Sequence, residues 1–330
     1  MSQRPLVIAH RGACGYRPEH TRAAYELAIT LGADAIEPDI VASSDGVLVI
    51  RHENEISGTT DVADRPEFAS RRATKTIDGV SMTGWFTEDF TWAELATLRA
   101  RERLAKTRPA NAKYDGQQGI LRLVDLIDIL SAADRDLVMV AEIKHPSYFG
   151  SIGLPLDGMF AAEIAGWARP DNLIVESFEQ SVLEQVQARD VPGRVVFLAE
   201  ATGSPADQVA EFGDEARPFA DYLTDAGLAR LAEQVDGVSV DKSLVLPLDA
   251  GENAAGTSDL IERARSAGLE TYVWTLRAEN RFLPKNFRRG LRARDLGDWA
   301  REYDLIIRTG VDGVFADQPD LAIQARTALR

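Results

Sequence analysis

The chain has 330 residues, 45% of them hydrophobic, and a formal net charge of −15. That length holds one large barrel or two ordinary domains, and the apolar share suits a chain that buries a sizeable core. The charge disfavours a nucleic-acid binder or an anionic-membrane protein, both of which need a basic face, although one site can still be locally positive.

Cys14 is the only cysteine, so no internal disulfide can form, consistent with a reducing compartment. A thiol without a chemical role is favoured over a nucleophile, because the ionisable groups around it in sequence have better assignments. No apolar run is long enough to span a bilayer, so no stable membrane insertion is expected. The opening MSQRPLVIAH is not a signal peptide. The chain as it stands is expected to be cytoplasmic, or secreted if a leader has been removed.

Leu6-Val7-Ile8-Ala9 is a short continuous apolar run, the pattern of a strand buried on both faces. His10 and Arg11 end it, and Gly12 breaks it. Apolar residues at helical spacing follow from Thr21 to Leu31, with Gly32 as the stop. Ala35 to Ile40 reads as a second strand. Glu37 and Asp39 are two apart, so in a strand both point to one face. Two carboxylates forced together on a buried face repel unless a cation sits between them, and hard oxygen ligands suit magnesium or calcium. Ser43-Ser44-Asp45-Gly46 is a turn signal ahead of Val47 to Ile50 and His52. A hairpin there returns His52 to a place roughly opposite Asp39.

Taken singly these features are weak, since a lone His at a strand end is usually structural. As an ordered set, His10-Arg11-Gly12, Pro18-Glu19-His20-Thr21, Glu37-Pro38-Asp39, Asp45-Gly46 and His52-Glu53 resemble the signature of the glycerophosphodiester phosphodiesterase family. That family carries Pro-Glu-Asn-Thr where this chain has His20. Thr21 can take over capping of the following helix, and position 20 stays off the catalytic list.

Further β-rich runs are Leu137 to Lys144, Leu173 to Phe178, Arg194 to Glu200, Gly237 to Asp241, Thr271 to Leu276 and Gly313 to Gln318. Helical patterns separate them, at Leu123–Ala133, Gly158–Ala168, Glu179–Ala188, Asp225–Gln234, Thr257–Ala267 and Gly297–Thr309. With the first two strands this makes eight βα units, which predicts a (β/α)8 TIM barrel with a small insertion after the second strand. A doubly wound open sheet is the competing architecture. The Glu-x-Asp pair and the absence of a Gly-x-Gly-x-x-Gly fingerprint disfavour it. Residues 1–330 are read as one domain, with 53–122 as an inserted subdomain over the barrel mouth. Trp92 to Arg103 is its one expected helix. Phe86, Phe90 and Trp92 are expected to form its small core, in preference to lining the cleft.

Barrel strands converge at their C-terminal ends, which gathers the candidate site. Glu142 and Lys144 end the third strand on one face. Glu142 is the natural third metal ligand beside Glu37 and Asp39, and Lys144 can meet a phosphate oxygen. The resemblance supports this, because the family has the same Glu-Ile-Lys at this place. His10 and His52 are two imidazoles suited to general acid and base, and Arg11 can stabilise phosphate charge. Trp274 ends the seventh strand. Such an indole is more often core, but in relatives a Trp here flanks the glycerol. Phe178 ends the fourth strand and is placed as the opposite wall. Asp317 is expected to bond the loop carrying His10. From Arg277 to Arg294 the chain is basic, with seven cationic side chains and Glu279 as a lone acid, which is either solvated surface or a substrate-facing patch.

The resemblance therefore implies metal-dependent hydrolysis of glycerophosphodiesters to sn-glycerol 3-phosphate and an alcohol. It implies one divalent cation, Ca2+ or Mg2+, and an acid–base pair formed by His10 and His52. It also implies attack by the glycerol 2-hydroxyl to give a cyclic phosphate that water then opens. The expected partner is a small-molecule glycerophosphodiester, and the sequence assigns no oligomeric state. A phospholipase D-like enzyme on intact lipids, or an inactive glycerophosphodiester-binding barrel, are the alternatives. The first lacks an amphipathic docking surface in the sequence, and the intact histidines and carboxylates speak against the second.

Overall fold

The protein is described here by a computed structural model covering residues 4–329. Twelve strands follow in chain order: β1 Leu6–His10, β2 Ala35–Glu37, β3 Asp39–Ala42, β4 Leu48–Ile50, β5 Ala73–Ile77 and β6 Val80–Gly84, then β7 Val138–Ile143, β8 Leu173–Ser177, β9 Arg194–Ala199, β10 Gly237–Asp241, β11 Glu270–Leu276 and β12 Gly313–Ala316. Pro38 interrupts the second expected strand, so β2 and β3 are its two halves. Proline has no N–H to give to a ladder, which is why the break falls there. Counting the halves as one, eight parallel strands close into a barrel: β1 pairs with both β2 and β12, and β2 pairs with β7. All eight expected strands are present, with helices between successive strands from β7 onward.

Strand alternation sorts the core into two parts. Ile8, Val140, Ile174, Val196, Tyr272 and Phe315 pack together inside the barrel. Residues on the other face, such as Val7, Ile36, Met139 and Val273, pack against the surrounding helices. The first helix, Arg22–Thr30, starts where expected: Thr21 is its N-cap, and its hydroxyl accepts from the Ala24 N–H at 3.2 Å. A final helix, Pro319–Ala328, was not foreseen.

β3 and β4 form the expected antiparallel hairpin, with Ile40 opposite Ile50. The register puts Arg51, not His52, opposite Asp39, and the Arg51 N–H donates to the Asp39 carbonyl at 3.0 Å. In the insertion the expected helix Trp92–Arg103 shrinks to Trp92–Leu95. Beyond it Leu98 and Ala100 are buried, and the chain instead bridges Thr60 with Ala100 and Arg99 with Gly119. Tertiary pairing thus overrides helical spacing. Phe86 and Phe90 are fully buried. Phe90 stands edge-on to Phe68 at 5.1 Å, and these two, with the partly buried Trp92, pack onto the main core and do not form a separate one.

Candidate active site

The alternation that fills the barrel also builds its mouth. Two residues beyond Ile8, Ala35, Val140, Ile174, Tyr272 and Phe315, on the same inward faces, stand His10, Glu37, Glu142, Glu176, Trp274 and Asp317. Cross-strand register places His10 beside Glu37, Asp39 beside Glu142, and Glu142 beside Glu176. A cavity of about 390 Å³ opens above this layer, lined by His10, Arg11, Glu37, His52, Glu142, Lys144, Glu176, Phe178 and Trp274.

After His10 the backbone turns sharply. Arg11 and Gly12 both have positive φ, 55° and 80°. A Cβ on Gly12 would lie 2.8 Å from the Ala24 backbone, so the turn packs directly on the first helix. The turn aims the Arg11 N–H at Glu37 Oε2, 2.6 Å away, and its guanidinium at Asp39 and Glu19.

The carboxylates divide into two sets. Oxygens of Glu37, Glu142 and Glu176 lie within 4.8 Å of one another. Asp39 instead faces donors, two of them cations: Oδ2 lies 2.7 Å from His20 Nε2 and 3.3 Å from Arg11 Nε, and Oδ1 lies 3.3 Å from Lys144 Nζ. Burial, followed by repulsion from a neighbouring carboxylate, raises Glu37 and Glu176 well above the usual carboxylate range. Burial also pushes Glu142 up to about 8, with Asp39 adding to it and Lys144 opposing. Asp39 Oδ1, Glu142 Oε1 and Glu176 Oε2 are buried without a hydrogen-bond partner; Lys144 Nζ stands 2.6 Å from Glu142 Oε1, outside hydrogen-bond geometry. Converging, desolvated and orphaned carboxylate oxygens are the donor set of a hard divalent cation, so these residues fit one.

Each histidine is held by a carboxylate. His10 Nδ1 lies 2.7 Å from Asp317 Oδ1, and His52 Nδ1 lies 2.5 Å from Glu53 Oε1. Burial alone would raise Asp317, but Arg277 and Arg108 hold it well below the usual range. Burial opposes Glu53 likewise, and the bond from His52 and the Arg103 guanidinium outweigh it. Both carboxylates are therefore ionised and can only accept, so each ring donates through Nδ1–H and keeps its lone pair on Nε2. Burial first, then Arg11, push His10 down to about 4, and burial, Arg11 and Lys144 push His52 down to about 3. Both rings are neutral at neutral pH. Asp317 thus bonds His10 itself as well as its loop, where the Gly15 N–H donates to the Asp317 carbonyl at 2.7 Å.

Phe178 and Trp274 meet edge-on with centroids 5.8 Å apart, so they form one continuous wall and not two opposite ones. Four of the seven cations in the basic loop are paired with carboxylates. Lys285 pairs with Glu252, Arg289 with Asp298 and Arg292 with Asp295, while Arg288 donates to the Leu283 carbonyl. Of its seven cations only Arg277 lines the cavity, with Nε 2.9 Å from Asp317 Oδ2.

The sequence profile of the glycerophosphoryl diester phosphodiesterase family matches residues 10–321. The chain belongs to this family of enzymes. A glycerophosphodiester phosphodiesterase of Arabidopsis thaliana is 33% identical to this family member over 328 residues, spanning 96% of this chain and 84% of the relative. One of Treponema pallidum is 24% identical over 347 residues, spanning 97% and 91%. The solved structure of a glycerophosphoryl diester phosphodiesterase of Silicibacter pomeroyi shares the fold at a TM-score of 0.68 and 19% identity, covering 98% of this chain and 94% of that one. A phosphodiesterase of Oleispira antarctica, solved with its product sn-glycerol 3-phosphate, does so at 0.64 and 19% identity, covering 97% and 96%.

Sequence reasoning did not place Glu176, His20, Glu19, Arg103 or Arg108 at the site. Glu176 had a readable signal, being the one acid in an apolar strand, two residues before Phe178. The arginines had none, because they arrive from a segment whose path no spacing reveals.

Proposed function

We propose that this enzyme hydrolyses glycerophosphodiesters to sn-glycerol 3-phosphate and an alcohol with the help of one divalent cation, Ca2+ or Mg2+. The observation that carries the reading is the pair of imidazoles lining one cavity. Each gives Nδ1–H to an ionised carboxylate and keeps Nε2 for chemistry. One ring takes the proton of the glycerol 2-hydroxyl as it attacks phosphorus, and water later opens the resulting cyclic phosphate with the two rings exchanging roles. The other delivers a proton to the departing alkoxide, and negative phosphate charge beside it favours the protonated form that this needs. Arg11 and Lys144 stabilise charge on the non-bridging oxygens. A bound cation would add Lewis-acid stabilisation of the same oxygens. Glu37 and Glu142 would hold it, with Asp39 or Glu176 as the third ligand. Trp274 and Phe178 offer an apolar wall for the carbon skeleton of the substrate.

Residues 53–122 act in this reading as an inserted subdomain over the mouth. Asp78, in the turn between β5 and β6, lines the cavity and bonds His145 just beyond β7, which supports that placement. The deciding experiment is turnover of glycerophosphocholine with and without chelator. Activity should vanish in chelator and return with Ca2+ or Mg2+; full turnover in excess chelator would overturn the metal assignment.

A further inference from the structure

One short stretch of the insertion reaches both histidines. Arg103 lies across two carboxylates: its Nε and Nη2 are 2.8 and 2.7 Å from Glu19, and its Nη1 and Nη2 are 2.7 and 2.6 Å from Glu53. Glu53 is the acceptor of His52 Nδ1–H. Five residues later, Arg108 Nη2 lies 2.6 Å from Asp317 Oδ2, while Asp317 Oδ1 accepts from His10. Arg108 is anchored in turn by Glu279, with Nε at 2.6 Å from Oε1. Neither arginine lines the main cavity; both line a small adjoining pocket, where their guanidinium groups are taken up by Glu19, Glu53, Glu279 and Asp317.

We propose that Arg103 and Arg108 are positioning residues, each fixing the carboxylate that sets one histidine, so that both imidazoles are aligned only when the insertion is docked. This rests on the acid–base reading of His10 and His52. A carboxylate bonded to Nδ1 selects the tautomer and the ring orientation only while the carboxylate itself is held. Arg103 holds Glu53 with two directed bonds, which a point charge cannot reproduce, and Arg108 gives Asp317 one. The two links are not equal. Glu53 is a long side chain, 28% exposed, and apart from His52 its hydrogen bonds come from Arg103. Asp317 is buried and also receives Arg277. Loss of Arg103 should therefore disturb His52 more than loss of Arg108 disturbs His10.

The test is a double-mutant cycle on the full chain with glycerophosphocholine. Arg103→Gln should lower kcat by roughly 10–100-fold, the usual worth of an outer partner that orients a catalytic group, with KM changed less than about threefold. In a His52→Ala background the same substitution should cost less than about threefold, because its target is gone. Arg103→Lys should recover only part of kcat, and Arg108→Gln should show the same pattern toward His10→Ala with a smaller loss. Undiminished kcat in Arg103→Gln, or an equal loss in the His52→Ala background, would overturn the proposal. If Arg103→Gln does not fold, Glu53→Gln breaks the same link, leaves Arg103 paired with Glu19, and goes through the same cycle. Normal turnover in His52→Ala alone would overturn the acid–base reading and this inference with it. Normal turnover in Arg103→Gln with an impaired His52→Ala would overturn this inference only.

Discussion

His20 Nε2 lies 2.7 Å from Asp39 Oδ2, and His20 Nδ1 lies 2.7 Å from the Tyr25 hydroxyl. Asp39 is held ionised: burial opposes this, and Lys144 with the other cations around it outweighs burial. It can only accept, so Nε2–H donates to it, and the neutral ring accepts from Tyr25 through Nδ1. Position 20, where the family usually has Asn, thus orients one of the site's carboxylates from a fully buried ring. Its neighbour Thr21 does the capping.

His20→Ala should therefore cost stability as well as activity. It strands the buried Tyr25 hydroxyl and leaves Asp39 Oδ2 with only its Arg11 contact at 3.3 Å, worth about 1–3 kcal/mol per buried unsatisfied group. Urea unfolding should show that loss, and kcat should fall because Asp39 loses its fixed orientation. A variant with wild-type stability and turnover would show that water replaces the ring without cost.

For the histidines at the cavity, His10→Ala and His52→Ala should each lower turnover by roughly 10²–10⁴-fold, the usual worth of one general acid or base. Both sit at the barrel rim, so thermal unfolding should remain cooperative. The loss at the acid should shrink on a nitrophenyl ester, whose leaving group needs no proton, and the loss at the base should not. That contrast assigns the two roles.

The third metal ligand is decided by comparing Glu176→Gln with Asp39→Asn. The Glu176 oxygen converges on Glu37 and Glu142, whereas Asp39 is occupied by His20, Arg11 and Lys144. Glu176→Gln should raise the cation Kd more than tenfold, about 1.4 kcal/mol, and Asp39→Asn should raise it less. The reverse order in calorimetric titrations would return the ligand to Asp39.

The basic loop looked like a field for anionic substrates when seen as sequence, and its pairing argues otherwise. Exposed cations beside their own carboxylates leave little net potential, and salt screens the remainder. Neutralising Arg288, Arg289 and Arg292 together should change kcat/KM less than about twofold for zwitterionic and polyanionic glycerophosphodiesters alike. Arg277→Gln should lower it, since that side chain alone faces the cavity. A selective loss on polyanionic substrates in the triple variant would restore the loop as a substrate-facing patch.

What the sequence could reveal follows from how local each signal is. A strand announces itself through a few adjacent residues, so all eight barrel strands and both histidines were readable. Glu37, Asp39 and Glu142 could be placed at the barrel mouth because each lies within such a run, Glu37 at the end of β2, Asp39 at the start of β3 and Glu142 one residue before the end of β7. Rotation of individual carboxylates at the mouth was not. Whether Asp39 or Glu176 turns toward Glu37 depends on Arg11 and His20, from the loop after β1, and on Lys144, just beyond β7. The helix expected over Trp92–Arg103 failed for a related reason: Thr60 and Gly119, distant in sequence, claim Ala100 and Arg99 for bridges. Arg103 and Arg108 became legible only once that path was known.

The last prediction couples the cation to pH. Burial, with Asp39 adding and Lys144 opposing, raises the Glu142 carboxyl from 4.5 to about 8 in the folded protein. Above 4.5 the unfolded chain has released that proton, while the folded protein keeps it until about 8. The stabilising contribution is therefore complete below 4.5 and is lost as pH rises through about 8. Glu37 and Glu176 are raised too and act in the same direction. His10 and His52, lowered from 6.5, act oppositely, but above 6.5 they are mostly neutral in both states and drop out. Between pH 6.5 and 8 the metal-free protein should thus lose stability at this site. A divalent cation binds only the ionised carboxylates, so binding displaces protons and tightens as pH rises. The gain in Tm from saturating Ca2+ or Mg2+ should accordingly be larger at pH 8 than at pH 6.5. Other buried acids, such as Glu102 and Glu179, titrate with and without metal and cancel in that difference. Glu142→Gln should flatten it. Equal gains at the two pH values in the wild-type protein, measured by differential scanning calorimetry, would mean that the cation binds without displacing a proton from this cluster.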